Sequence, residues 1–253
     1  MEFFELLFTW DGLMYFLILS LLEIVLGIDN IIFISIVTDK LTSVEQRKAR
    51  NVGLTLALVV RLVLLAFVSW LMHLDAALFP ESKWEMLENF SFQSLVLLLG
   101  GLFLIYKSTI EMHSSVSAKH KETTNVPNGL AAVIAQIVMI DIVFSFDSII
   151  TAIGMTNGLG NETEQNPIVI IYSAVIVSMI VMMLFAKPIS DFINNRPTIK
   201  MIALGFLVTI GVILVAEAFG QHLPKGYIYF AMVYSLVVEF LNIRMRKNKG
   251  LDE

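Results

Sequence analysis

No cysteine occurs anywhere in the chain, which excludes disulfides, thiol nucleophiles and cysteine-ligated metals. Charge is scarce as well: only 15% of residues are Asp, Glu, Lys or Arg, against about 25% in a soluble domain. So few charges cannot clothe a water-facing surface. The four histidines (His73, His113, His120 and His222) all fall in predicted loops, so imidazole is not expected at a buried site. No GxxxxGK[ST] stretch is present, and ATP drive would need a partner. The opening MEFFELLFTWDG is acidic where a cleavable signal peptide carries a basic region, so none is expected. What fills the chain instead is apolar sequence: 57% of 253 residues are hydrophobic, with a mean hydropathy of +0.80.

About 20 apolar residues are needed to cross a bilayer core as a helix. Seven segments qualify, at about 13–37, 51–72, 92–110, 129–154, 167–186, 199–219 and 227–243, the last being the shortest. Lys and Arg then alternate by side. Lys40, Arg47, Lys48 and Arg50 follow the first span; Lys107, Lys119 and Lys121 follow the third; Lys187, Arg196 and Lys200 follow the fifth; Arg244, Arg246, Lys247 and Lys249 follow the seventh. The intervening segments carry only Lys83 and Lys225, and Arg61 lies inside the second span. The positive-inside rule therefore predicts an all-α polytopic membrane protein with seven transmembrane helices, its N-terminus outside and its C-terminus cytoplasmic. Trp10, Trp70 and Trp84 fall at or near the outer interface, as an aromatic belt would place them. The polar stretch 113–129 reads as a cytoplasmic loop between two halves of a single domain.

Those halves repeat. Glu23-Ile-Val-Leu-Gly-Ile-Asp-Asn-Ile-Ile32 in span one matches Asp141-Ile-Val-Phe-Ser-Phe-Asp-Ser-Ile-Ile150 in span four, at an offset of 118 residues and with five of ten positions identical. Because one span runs inward and the other outward, residues of about 13–110 and 129–219 form two inverted three-helix repeats, with 227–243 as an extra helix. Secondary transporters built this way hold their substrate where the repeats meet near the midplane.

Glu23, Asp29, Asp141 and Asp147 lie near the middle of their spans. An ionised carboxylate there costs about 2.5–3.5 kcal/mol on insertion scales. Arg61 is expected to pair with one acid, leaving a surplus that protons or a bound divalent cation would resolve. Residues seven apart share a helix face and residues six apart do not, so Glu23, Gly27 and Asn30 lie together while Asp29 is rotated away; Asp141, Ser145 and Ser148 stand likewise against Asp147. Gly27 weakens its helix and Ser145 can bond back to a carbonyl, so local unwinding is predicted near 26–30 and 144–148, bringing all four acids together. A straight helix with one acid per repeat is the alternative. Carboxylate, amide, hydroxyl and carbonyl oxygens suit hard cations such as Mn²⁺, Ca²⁺ or Mg²⁺. Met139, two residues before Asp141, reads as lipid-facing packing rather than a thioether ligand. Glu217 and Glu239, near span ends, read as interfacial residues or as gate or proton-relay groups.

The stretches LLEIVLGIDNIIF (21–33), QIVMIDIVFSFDSIITAIGM (136–155), RPTIKMIALGFL (196–207) and AEAFGQHLPKGYIYFAMVYSLVVEFLN (216–242) closely resemble the TerC family of integral membrane proteins, and specifically its compact bacterial branch without soluble accessory domains. Arg196 departs from the His of many members. The resemblance implies a fold grouped with the LysE-type exporters, residence in the bacterial cytoplasmic (inner) membrane, manganese export, and a supply of metal to secreted enzymes. Carried over by motif, the metal ligands would be Glu23, Asp29, Asn30, Asp141, Asp147 and Ser148, with Gly27, Arg61, Ser145, Glu217 and Glu239 as supporting or gating residues. Tellurite is a poor candidate substrate, since carboxylates repel an oxyanion.

The leading expectation is therefore a secondary exporter, proton-coupled in one version, with Mn²⁺ as transported substrate and Ca²⁺ or Mg²⁺ as alternatives. The chain is expected not to be an enzyme, to use no organic cofactor and to bind no nucleic acid. The alternative is an interaction protein that contacts the secretion machinery or secreted metalloenzymes through residues 107–128. An intramembrane aspartyl protease is disfavoured, because Leu26-Gly27-Ile28-Asp29 lacks the Gly-x-Gly-Asp pattern. An amino-acid exporter would rest on fold analogy alone.

Overall fold

The computed structural model describes residues 9–67, 90–117, 129–163, 168–221 and 223–249, and every regular element among them is a helix: α1 (Trp10–Thr38), α2 (Ser43–Ala66), α3 (Phe92–Val116), α4 (Leu130–Thr163), α5 (Ile168–Asn194), α6 (Pro197–Ala218) and α7 (Lys225–Asn248). Six are long and apolar enough to cross a membrane, namely α1, α2, α3, α5, α6 and, from Gly226, α7. The fourth, α4, contributes the shorter apolar stretch Leu130–Phe146. Large apolar side chains such as Leu21, Leu99, Leu184 and Phe230 point outward, on faces that a water-soluble protein would cover with charge.

The helices outrun the apolar segments because polar residues cap them. The Thr42 hydroxyl accepts from the Glu45 N–H at 3.4 Å while Glu45 Oε2 accepts from the Thr42 N–H at 3.2 Å; this reciprocal cap starts α2 eight residues before its apolar run. Thr9 and Ser91 cap α1 and α3 through the N–H groups of Gly12 and Ser94, each at 3.1 Å. At the other end of α6, Gly220 adopts φ +75°. Its N–H bonds to the Glu217 carbonyl and that of Gln221 to the Ala216 carbonyl, a left-handed stop that a residue with a Cβ adopts only under strain. Two expectations change as a result. Residues 107–116 continue α3 rather than forming a loop, which puts His113 in its last turn. The fifth span, expected over about 167–186, continues as α5 through Pro188 to Asn194.

The helices gather into two units. The first contains α1, α2, α4 and α5 up to Asp191. Within it α4 packs on both α2 and α1, and the Tyr172 hydroxyl of α5 donates to the Leu62 carbonyl of α2 at 3.5 Å. Its core includes Leu19, Phe33, Leu65, Ile137, Ile140 and Met179. The second unit contains α3, α6 and α7, with α3 against α6 as its main pairing and α7 on the flank of α6. Each unit thus takes helices from both halves of the chain.

In the second unit α3 and α6 meet backbone to backbone. A Cβ placed on Gly101 would lie 2.6 Å from the Gly211 carbonyl oxygen, and one on Gly211 would lie 2.8 Å from that of Gly101. The next contacts are reciprocal too: Gly101 faces Val215 and Gly211 faces Ile105, each four residues on. Small residues are what allow two membrane helices to approach this closely.

Candidate metal-cation site

The sequence motifs of α1 and α4 come together within the first unit. Glu23, Asp29 and Asn30 of α1, Arg61 of α2, and Asp141, Ser145 and Ser148 of α4 are each at most 4% exposed. Glu23 and Asp141, the equivalent first acids of the two motifs, are joined by one guanidinium. Arg61 Nη1 donates to Glu23 Oε2 at 2.6 Å and Nη2 to Asp141 Oδ1 at 2.9 Å, while Nε donates to Ser145 Oγ at 3.0 Å. Ser145 Oγ in turn donates to Asp141 Oδ2 at 3.2 Å, and Asn30 Nδ2 donates to Asp141 Oδ1 at 2.9 Å. Asp141 is therefore held from α1, α2 and its own helix, and the planar fork of Arg61 reaches both carboxylates where a point-like ammonium could not.

Several local expectations are corrected by this geometry. Both α1 and α4 are continuous through 26–30 and 144–148, so no unwinding occurs. The motif serine that bonds back to its helix is Ser148, whose hydroxyl donates to the Ser145 carbonyl at 3.4 Å; Ser145 faces the carboxylates instead. Arg61 serves two acids rather than one. Among the described residues no three His, Cys, Asp or Glu side chains gather closely enough to hold a metal ion. Asp147 lies on α4, and its side chain falls outside the described residues. Among the described residues nothing donates to Asn30 Oδ1, which is buried.

Gly27 has a packing role. A Cβ there would overlap Met182 Sδ, so the glycine admits the thioether of α5 onto the face that carries Glu23 and Asn30. Sequence reasoning singled out Met139, which is 41% exposed as lipid-facing packing requires, and missed Met182. Nothing in the local spacing around 182 marks it; only the gap at Gly27 hinted that a neighbour approaches there.

The remaining candidates belong to the second unit. Glu217 is partly buried near the end of α6. Glu239 of α7 is buried and accepts from Asn242 Nδ2 at 3.2 Å. Glu111 of α3 is buried with Lys200 Nζ at 4.0 Å, a contact that sequence reasoning did not identify. Of the predicted partner segment 107–128, residues 118–128 lie outside the described residues, as do Trp70, Trp84, His73, His120 and His222.

Comparison with known proteins adds a family. The family described as "Integral membrane protein TerC family" matches residues 8–250. A "UPF0053 protein" of Haemophilus influenzae is 45% identical over 231 residues, covering 90% of this chain and 92% of that protein. The "UPF0053 inner membrane protein YgdQ" of Escherichia coli K12 is likewise 45% identical over 231 residues, covering 91% and 92%. The "UPF0053 inner membrane protein YoaE" of the same strain is 42% identical over 242 residues, which are 94% of this chain but 43% of that protein. No solved structure matches the chain.

Proposed function

The chain belongs to the TerC family of integral membrane proteins, and from that premise we propose that it is a multi-pass inner-membrane transporter that exports a divalent metal cation, Mn²⁺ first, from the cytoplasm. The inner membrane is where its relative YgdQ is named as residing. In this reading α4 is a seventh crossing, the N-terminus is outside, and the two halves are inverted repeats that place the substrate site where their motifs meet. The reciprocal contact of Gly101 and Gly211 supports such a two-fold relation within its own unit.

The observation that carries the proposal is the buried constellation built from both motifs, whose acceptors are all oxygen: Glu23 and Asp141 bridged by Arg61, with Asn30 Oδ1 receiving no hydrogen bond from the described residues. Buried acids in a membrane helix mark a substrate or ion pathway by default, and here two of them, one from each motif, share a single guanidinium. Glu23, Asp29, Asn30, Asp141, Asp147 and Ser148 would ligate the cation in the course of transport. Oxygen donors favour Mn²⁺, Ca²⁺ and Mg²⁺, and the Met182 thioether beside Gly27 favours Mn²⁺ among these. Carboxylates that bind metal give up any protons they hold, which supplies a route to proton coupling.

Uptake into proteoliposomes, with Mn²⁺, Ca²⁺ and Mg²⁺ compared, tests this directly. Wild type should accumulate Mn²⁺, whereas Asp29→Asn and Asp147→Asn should insert normally and lose flux. Flux retained by both variants would remove the motif acids from the pathway.

A further inference from the structure

Arg61 occupies the position between Glu23 and Asp141 that a cation shared by the two motifs would need. We propose that Arg61 is a tethered stand-in for the transported cation: its guanidinium fills the site when no cargo is bound, must withdraw for cargo to be held, and displaces cargo on its return. This rests on the reading of the chain as a divalent-cation transporter.

Three observations lead to it. First, the bridge uses the first acid of each motif together, at 2.6 Å and 2.9 Å, with all three side chains at most 5% exposed. A divalent ion held by those carboxylates beside the guanidinium would set two cations close together in a medium of low dielectric, a repulsion that makes the two compete for the site. Second, Arg61 cannot step aside by losing its proton, since a guanidinium stays charged throughout the ordinary pH range. Its only way out is to move, and its long stem permits that. Third, the cation comes from one half of the chain: Arg61 belongs to α2, and the basic residue of the corresponding helix α5, Lys187, is exposed.

The arrangement also says which end stays put. Asp141 keeps donors from Asn30 and Ser145 whether or not Arg61 is present, so its carboxylate remains in place while the guanidinium leaves. Cargo and Arg61 then compete for one pair of carboxylates. Removing the competitor should strengthen binding and slow release, the opposite of what deleting a cargo ligand or a purely structural residue does.

Mn²⁺ titration of the purified full chain in nanodiscs, together with Mn²⁺ flux in proteoliposomes, tests this on wild type, Arg61→Gln and Arg61→Lys. Arg61→Gln should bind Mn²⁺ at least about tenfold more tightly, with KM and maximal flux both falling, and millimolar guanidinium ion should restore part of the flux by replacing the missing group. Arg61→Lys should lose part of the flux, less than Arg61→Gln, and show a smaller gain in affinity, because an ammonium grips both carboxylates less well; it decides the matter should Arg61→Gln not fold. Equal or weaker Mn²⁺ binding by the folded variants would overturn the proposal and leave Arg61 a structural counter-ion while transport stands. Absence of divalent-cation binding by wild type and variants alike would overturn the transport reading and this inference with it.

Discussion

The two units join their helices differently. In the first, α1, α2 and α4 converge on charge, with Glu23, Arg61 and Asp141 in one buried network. In the second, α3 and α6 cross at Gly101 and Gly211, which bring two backbones into contact, and charge enters only nearer the helix ends, where Glu111 meets Lys200 at 4.0 Å. A glycine crossing is rigid and indifferent to which ions are present. A carboxylate–guanidinium bridge gains stability only while its charges match, because each ion has lost its water. On the proposed function the first unit would be the one to respond to a cation, whereas the glycine crossing of the second suits it to holding α3 and α6 together.

Substitutions should separate the two kinds of core. The largest effect is expected for Arg61→Ala, which leaves two acids buried without their shared cation; breaking such a buried pair costs about 3–5 kcal/mol. Replacing all three groups, as Glu23→Gln with Arg61→Met and Asp141→Asn, should recover most of that loss while abolishing Mn²⁺ flux. Denaturant unfolding of the purified protein measures the first, and recovery without flux would show that the bridge serves function more than stability. Next comes Gly101→Ala. The added Cβ would meet the Gly211 carbonyl oxygen at 2.6 Å, and a backbone oxygen cannot rotate away, so a loss of about 1–3 kcal/mol is expected. Ion flux per folded molecule should change less than in any of the motif variants. Smallest is Thr42→Ala, which removes the reciprocal cap of α2 and should cost about 1 kcal/mol without altering Mn²⁺ affinity; a changed affinity would tie the end of α2 to the position of Arg61.

Much of this was legible in the residues themselves. The acids stand out because nothing else in those spans is charged, and the shared spacing of the motifs makes their meeting foreseeable. That Arg61 would find an acid followed from its place inside a span; that it would take one from each motif did not, since this depends on how α1, α2 and α4 pack. The predicted unwinding failed for a related reason. Gly27 lowers helix propensity, but packing overrides propensity, and its missing Cβ makes room for Met182 Sδ instead. Gly101 and Gly211 stand near the middle of two spans, yet no local signal distinguishes a glycine that weakens a helix from one that seats a neighbouring helix. Helix ends were misjudged where polar caps such as Thr42 with Glu45 extend the element past its apolar run.

The central claim is that the paired first acids of the two motifs receive the transported cation. Electron paramagnetic resonance of Mn²⁺ added to the purified chain, compared between wild type and Glu23→Gln with Asp141→Asn, tests it most directly. The account predicts a saturable bound-Mn²⁺ signal in wild type that is lost in the folded double variant. A signal of equal strength in both would contradict it.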